Sequence, residues 1–487
     1  MKKMHAPVSA LLFAALLLTL GGCSKSLEKL ADGDSPLAAD AQAIRKALAK
    51  TKIEPEKVKA WENTGYTTTS SECDSDKPCA GIVVRNGRIS HLYVRAAGGP
   101  IDMAALKGAN ALEHITLQNS VEGSLKDFGG LPKLRDLDLM GNSKLTSVVG
   151  LSKLPKLANI DLGLTGVTEL RNLKDLPKLR KLNLKDSKLT TVSGLDNVGL
   201  AGLDFSKLKT LKVLEKITNM PRLIRISVKG NKLTSLSLTK LPVLSSLVVT
   251  KNALTTLSVT NMPKLKVINA KNNRLSTVTF SGLPALETLA FGHNAFTAIP
   301  AIVGAPKLKW FSISNNKLTS LAGLGKLNIK EVFVEHNALT SLSLAPAATT
   351  VEKPAKRAKR AKRKGGFAEP PSEAPASPKT VTLVADYNQL ATLAGVGSFP
   401  ALVYLYVSHN KLTSLSGVEK LAHLKKLQAS HNKLKTLKPL KPGKLEELIA
   451  TNNQIVAAPE LFGTTGTSRP KIKRYDLRHN AIVGVGA

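Results

Sequence analysis

The sequence predicts a curved solenoid with a parallel β-sheet on its concave face, a convex side that is mostly irregular or short extended and 3-10 segments, and little helix. Three observations carry that expectation. Asn recurs at 231, 252, 273, 294, 316 and 337, then at 388, 410, 432 and 453, in steps of 21 or 22 residues with one interval of 51. Around each Asn runs the frame Leu-x-x-Leu-x-Leu-x-x-Asn-x-Leu-x-x-Leu, clean at Leu402, Leu405, Val407, Asn410, Leu412 and Leu415. The 487 residues are 43% hydrophobic but only 4% aromatic, which suits a core built on Leu rather than on packed rings.

The chain begins with Met1-Lys2-Lys3, followed by an apolar run from Val8 to Leu20. That run is too short to span a bilayer and long enough for a signal peptide. It ends in Leu20-Gly21-Gly22-Cys23-Ser24, which resembles the lipobox of bacterial lipoproteins. The resemblance implies cleavage after residue 22, a diacylated Cys23, and outer-membrane retention, because Ser24 is not acidic. Residues 1–22 are thus read as a lipoprotein signal peptide and 23–60 as a lipid-anchored tether. Within the tether, residues 36–50 form a short helix with Leu37, Ile44 and Leu48 on one face.

Residues 61–110 read as an N-terminal cap. Asn86-Gly87 between two apolar runs is a hairpin signal. In an exported chain Cys73 and Cys79 are expected to form a disulfide across a small loop, worth roughly 2 kcal/mol. A rival reading makes Cys73 reactive, since Cys73-Asp74-Ser75-Asp76 resembles the Cys-x-Asp of some repeat-bearing bacterial ubiquitin ligases, although Ser75 stands where that motif has its Asp. Those ligases carry it in a large helical domain that this sequence lacks.

Repeats are expected over 111–345 and 379–487. Upstream of residue 231 the Asn place is held by Asn142, Thr165 and Ser187, and a last copy at the end of the chain carries Asn480. Leu/Met-Pro-x-Leu recurs at 131, 154, 176, 220, 241, 262 and 283, where proline suits an extended return segment. The frame resembles the leucine-rich repeat, nearest the 22-residue internalin-like bacterial class, over about three quarters of the chain. Its Leu-x-Leu core would be a short strand, stacked at about 4.8 Å on its neighbours. Each Asn of a structural ladder (Asn142, Asn231, Asn252, Asn273, Asn294, Asn316, Asn337, Asn388, Asn410, Asn432, Asn453 and Asn480) would bond backbone groups of its own and the adjacent coil. A buried amide without such partners would cost about 1–3 kcal/mol.

The 51-residue interval holds an insertion, 346–378, basic at first and then Pro-rich, whose composition predicts disorder. Its basic run comprises Lys353, Lys356, Arg357, Lys359, Arg360, Lys362, Arg363 and Lys364. It reads either as an arm for an anionic partner or as a tolerated insertion. The chain carries 70 Lys and Arg against 35 Asp and Glu, a net charge of +35. Many lysines precede the Leu that follows the ladder place (Lys232, Lys317, Lys411, Lys433), forming a basic stripe. The stripe either binds an anionic polymer or keeps a Leu-rich array soluble.

In leucine-rich repeat proteins, ligands are usually gripped by the x residues of Leu-x-Leu. Early units place Asp136, Asp138, Asn159, Asp161, Lys181 and Asn183 there, and later units place Trp310, Phe333, Val384, Tyr404 and Tyr406, with Tyr387 beside its ladder Asn. These six later residues form the candidate ligand patch, because duplication of a consensus repeat does not explain them and clustered exposed aromatics mark binding hot spots. The alternative is scattered surface rings. His293, His336, His409, His431 and His479 each precede a ladder Asn, but no carboxylate or thiolate recurs with them, so no metal is expected.

No nucleophile, carboxylate pair or phosphate loop suggests catalysis, and no cofactor is expected. The function read from the sequence is non-catalytic binding of a protein or glycan on the concave face, by a lipoprotein held to the outer membrane through Cys23. The alternative is cationic adhesion to lipopolysaccharide, wall polymer, acidic lipid or DNA. Nucleic acid is not expected as the physiological partner.

Overall fold

The computed structural model describes residues 26–62, 78–344 (apart from 127, 129, 130, 150, 152, 153 and 207), 379–440, 444–457 and 472–483. Cys23, Cys73 and the basic residues Lys353, Lys356, Arg357, Lys359, Arg360, Lys362, Arg363 and Lys364 lie outside the described residues. The chain forms two units, 1–223 and 224–487.

In the first unit, residues 26–62 are not a tether but part of a packed cap. The helix Pro36–Leu48 starts at Ser35, whose Oγ accepts the Ala38 N–H at 3.0 Å, and Pro36 opens its first turn. Ala38, Ala41, Ile44 and Leu48 form a fully buried stripe. Asp40, at 0% exposure, accepts Arg88 Nε and Nη2 at 2.7 Å each and the Ile89 N–H at 2.9 Å. This carboxylate ties the helix to the hairpin of strands Cys79–Arg85 and Arg88–Arg95. Asn86 (φ 48°) and Gly87 (φ 65°) make its two-residue turn, both in the left-handed region that such turns require.

Strand Arg88–Arg95 then pairs in parallel with His114–Gln118, and the ladder continues through Asp136–Asp138, Asn159–Asp161 and Lys181–Asn183. A second parallel ladder in this unit runs through Gly123–Leu125, Leu145–Val148, Glu169–Leu170, Thr191–Val192 and Val213–Leu214. Between the two ladders lies a layer of buried Leu, Ile and Val, one set per coil.

The second unit repeats the arrangement. Parallel strands follow in chain order from Arg225–Ser227 through Trp310–Ser312, Glu331–Phe333, Thr382–Val384, Tyr404–Tyr406, Lys426–Gln428 and Glu447–Ile449 to Arg474–Asp476. Register passes unbroken across the insertion, with Glu331 opposite Thr382 and Phe333 opposite Val384. The other side changes along the unit for reasons visible in the sequence. Thr, Ser and Val alternation gives strands at Ser237–Thr239, Thr256–Thr260 and Thr277–Ser281. Later coils carry Gly323, Gly395 and Gly417 at φ 94°, 87° and 110°, each opening a 3-10 turn (Leu324–Lys326, Val396–Ser398, Val418–Lys420).

The Asn ladder joins the coils. Asn410 Nδ2 donates to the Val407 carbonyl of its own coil and the Ala385 carbonyl of the preceding one, both at 3.1 Å. Its Oδ1 accepts the Leu390 N–H at 3.0 Å. Asn252, Asn273, Asn294, Asn316, Asn337, Asn388, Asn432, Asn453 and Asn480 repeat the pattern. Thr165 occupies the same place with one hydroxyl, which donates to the Leu162 carbonyl. No helix among the described residues is long and apolar enough to cross a membrane.

Candidate binding surface

Within each strand of the second unit, the Leu-like residue faces the core and its neighbours face outward, because side chains alternate along a strand. Parallel pairing in register sorts the outward residues into rows. One row reads Trp310, Glu331, Thr382, Tyr404, Lys426, and the next reads Ser312, Phe333, Val384, Tyr406, Gln428. Trp310, Phe333, Val384, Tyr404 and Tyr406 therefore share one surface across four adjacent strands. At about 4.8 Å per strand the patch is roughly 14 Å wide.

The patch is organised. The Trp310 and Phe333 rings lie 5.2 Å apart, tilted by 37°. Lys271 Nζ stands 5.6 Å from the Trp310 ring and Lys426 Nζ 5.6 Å from the Tyr406 ring, both within cation–π range. Tyr404 is 39% exposed. Beyond it the surface is charged and paired: Lys426 meets Glu447 at 3.2 Å, and Lys425 and Lys473 both reach Glu446.

Tyr387 belongs to a different line. It is 46% exposed and stacks between His336 (4.2 Å) and His409 (4.1 Å), and His409 stacks in turn on His431 at 4.2 Å. All four residues have φ between 53° and 55°. They hold the left-handed turn position before each ladder Asn, which favours Asn, Asp and His over bulkier residues. This backbone demand explains why His recurs there, and repetition at one coil spacing stacks the rings. Burial lowers the pKa of His409, helped by His431 and His336. Among the described residues no group of three or more His, Cys, Asp or Glu is placed to hold a metal ion.

Two residues between the patch and this column drew no attention in the sequence. Glu335 and Asp386 occupy the position after the second core residue of adjacent coils. Elsewhere in the unit that place holds Lys229, Thr250, Lys271, Gly292, Ser314, Ser408, Ser430, Thr451 and Arg478. Asp386 Oδ1 accepts the Ser408 N–H at 2.6 Å. Burial nonetheless pushes its pKa up to about 6, with the Glu335 charge adding to the rise. Glu335 Oε2 is shielded from solvent and has no hydrogen-bond partner among the described residues.

The early units present a different surface. His91 is buried and stacks on His114 at 4.1 Å, and His114 Nδ1 lies 2.6 Å from Asp136 Oδ2. Asn159 Nδ2 also bonds Asp136, and Asn183 Nδ2 donates to both Asp161 oxygens at 3.0 Å. These Asp and Asn side chains satisfy one another along the ladder, so they are committed to each other before any ligand arrives. The stripe residues Lys232, Arg274, Lys317, Lys411 and Lys433 are exposed.

Residues 400–442 match the family model described as Leucine Rich repeats (2 copies). The coil they form, with its inward Leu, short strand and Asn ladder, is the coil that recurs through the described repeats. The described coils have the leucine-rich repeat fold. Among solved structures it is similar to YopM from Yersinia enterocolitica WA-314, with 20% identity over 93% of this chain and 92% of that one and a TM-score of 0.37. YopM from Yersinia pestis gives 24% identity over 72% and 79%, with a TM-score of 0.42. The functional domain of InlJ from Listeria monocytogenes gives 18% identity over 74% and 73%, with a TM-score of 0.39. Comparison with curated protein sequences gives no significant match.

Proposed function

We propose that the chain is a non-catalytic, envelope-anchored lipoprotein that binds a protein or glycan through the outward face of its second-unit sheet. Cys23 carries the lipid and holds the repeats at the outer membrane, and a Cys73–Cys79 disulfide closes the cap loop. The observation that carries the reading is the aromatic patch. Trp310, Phe333, Tyr404 and Tyr406 interrupt a repeat whose other coils place Ser, Thr, Asn, Gln, charged or aliphatic residues in the same rows. Such rings supply large contact area at low entropic cost, the property of binding hot spots. No residue is assigned a catalytic role.

A second reading, adhesion to an anionic polymer, draws support from the exposed row Lys232, Arg274, Lys317, Lys411 and Lys433 and from the basic run 353–364. The two readings differ in salt response, steep for the polymer and shallow for the aromatic surface. Soluble protein starting at Ser24 is used to capture partners from an envelope extract across a salt series. It is run beside a W310A/Y404A/Y406A variant and a variant lacking 353–364. Capture that survives high salt and fails in the triple variant supports the aromatic surface. Capture that collapses with salt and ignores the triple variant overturns it in favour of a cationic adhesin. An alkylatable Cys73 in the mature protein would remove the disulfide.

A further inference from the structure

We propose that the partner engages this surface with a cationic side chain, an Arg or Lys of a protein ligand, seated against Glu335 and Asp386 beside the aromatic patch. The inference rests on the reading of that face as the ligand surface and names the chemistry it selects.

The first argument is electrostatic. The chain carries twice as many basic as acidic residues, so a carboxylate on it should find a cation nearby. Four in the second unit do, whereas Glu331 and Glu419, at more exposed places, form no ion pair among the described residues. Glu446 is held by Lys425 and Lys473, Glu447 by Lys426 and Arg474, Glu287 by Lys309, and Asp476 by Arg478. Glu335 and Asp386 hold the same place on adjacent coils, the Glu335 charge acts on Asp386, and among the described residues neither forms an ion pair. The pair is a local negative site, partly withdrawn from solvent, on a positive molecule. A shielded carboxylate oxygen with no donor, Glu335 Oε2, is a standing cost that an incoming N–H relieves.

The second argument is the surroundings. Phe333 ends its strand two residues before Glu335, and Tyr406 lies one strand beyond Val384, which is opposite Phe333. Lysines already stand over the Trp310 and Tyr406 rings, so these ring faces accept cations. Carboxylates beside aromatic faces suit a guanidinium in particular, which donates in the plane to oxygen while its face stacks on a ring. A polyanion meets repulsion at this spot, so the partner that fits is a protein with an exposed basic residue.

Acidity should oppose binding. The titratable groups around the pair are Glu335, Asp386, His336 and His409, with Glu331, Lys271 and Lys426 further along the face. Between pH 7.5 and 5 Asp386 takes up a proton, and the loss of its charge disfavours a cation.

The test uses the soluble chain from Ser24 and three small probes: N-acetyl-arginine methylamide, its lysine counterpart, and the neutral citrulline isostere. Ligand-observed NMR titration gives their affinities. The net +35 charge works against the cationic probes, so non-specific attraction cannot mimic the effect. The expected result is that the arginine probe binds at least tenfold more tightly than citrulline. The advantage vanishes in E335Q/D386N, a near-isosteric pair, and falls about tenfold from pH 7.5 to 5. Envelope capture should drop in the same variant. If the arginine probe binds no better than citrulline, or if E335Q/D386N captures partner as wild type does, the cation inference is overturned. The concave reading still stands in that case provided W310A/Y404A/Y406A abolishes capture. Loss of neither function in either variant overturns both.

Discussion

Replacing Asn410 by Ala removes four polar contacts in one step, and their cost can be worked from the structure. Asn410 is 8% exposed; its Nδ2 serves the carbonyls of Ala385, Val407 and Ser408, all at 3.1 Å, and its Oδ1 serves the Leu390 N–H at 3.0 Å. Leu390 itself is fully buried, so water cannot take over its amide. That orphaned donor costs about 1–3 kcal/mol, and the under-satisfied carbonyls bring the expected loss to about 3–5 kcal/mol. N410T should cost about half as much, since Thr165 fills the same place with a single hydroxyl bond to Leu162. In a stacked repeat the loss is local, because each coil contacts chiefly its neighbours. Hydrogen exchange followed by mass spectrometry over residues 385–412 is therefore the assay, with urea denaturation beside it. Faster exchange of the Leu390 amide, confined to the coils around Asn410, is expected. A loss below about 1 kcal/mol with unchanged exchange would refute the ladder as a source of stability.

Four further outcomes follow from the same geometry. Asp40→Ala should destabilise the cap by about 2–4 kcal/mol, because it strands the Arg88 guanidinium and the Ile89 N–H; thermal denaturation and protease nicking within 26–62 would read it, and a tether would show no effect. Gly395→Ala should cost about 1–3 kcal/mol: φ is +87°, and a Cβ would lie 2.4 Å from the Ser343 backbone. Gly230→Asn, at φ +75° with open space around it, should be near neutral in the same unfolding assay. His91 is held neutral by burial, its pKa lowered from 6.5 to about 4 with His114 contributing. The unfolded chain therefore binds the proton first, and stability should fall as pH drops from about 6.5 to about 4, by up to about 3 kcal/mol. H91F should flatten that part of the pH–stability curve.

The features legible in the sequence are those that periodicity writes many times. The Leu frame specified the inward layer and the strand, and the Asn spacing specified a ladder bonding its own and the adjacent coil, as Asn410 does. Asn86-Gly87 specified the hairpin turn. The cap helix was missed as a packing element because its buried stripe is mostly alanine, Ala38 and Ala41, which carries almost no hydrophobic signal until a partner surface covers it. The stacked His–Tyr column needed knowledge of φ: five histidines before Asn look like permissive variation until one sees that the position is left-handed and that one coil spacing suits ring stacking. Tyr387 was grouped with the concave rings for the same lack. Glu335 and Asp386 were hidden by the insertion itself. They stand 51 residues apart in sequence yet on consecutive coils, because strand pairing depends on the repeat frame and not on the length of chain between frames. A site assembled across an insertion is invisible to any scan of local spacing. It becomes legible only when each residue is assigned its row in the repeat and the rows are read across coils.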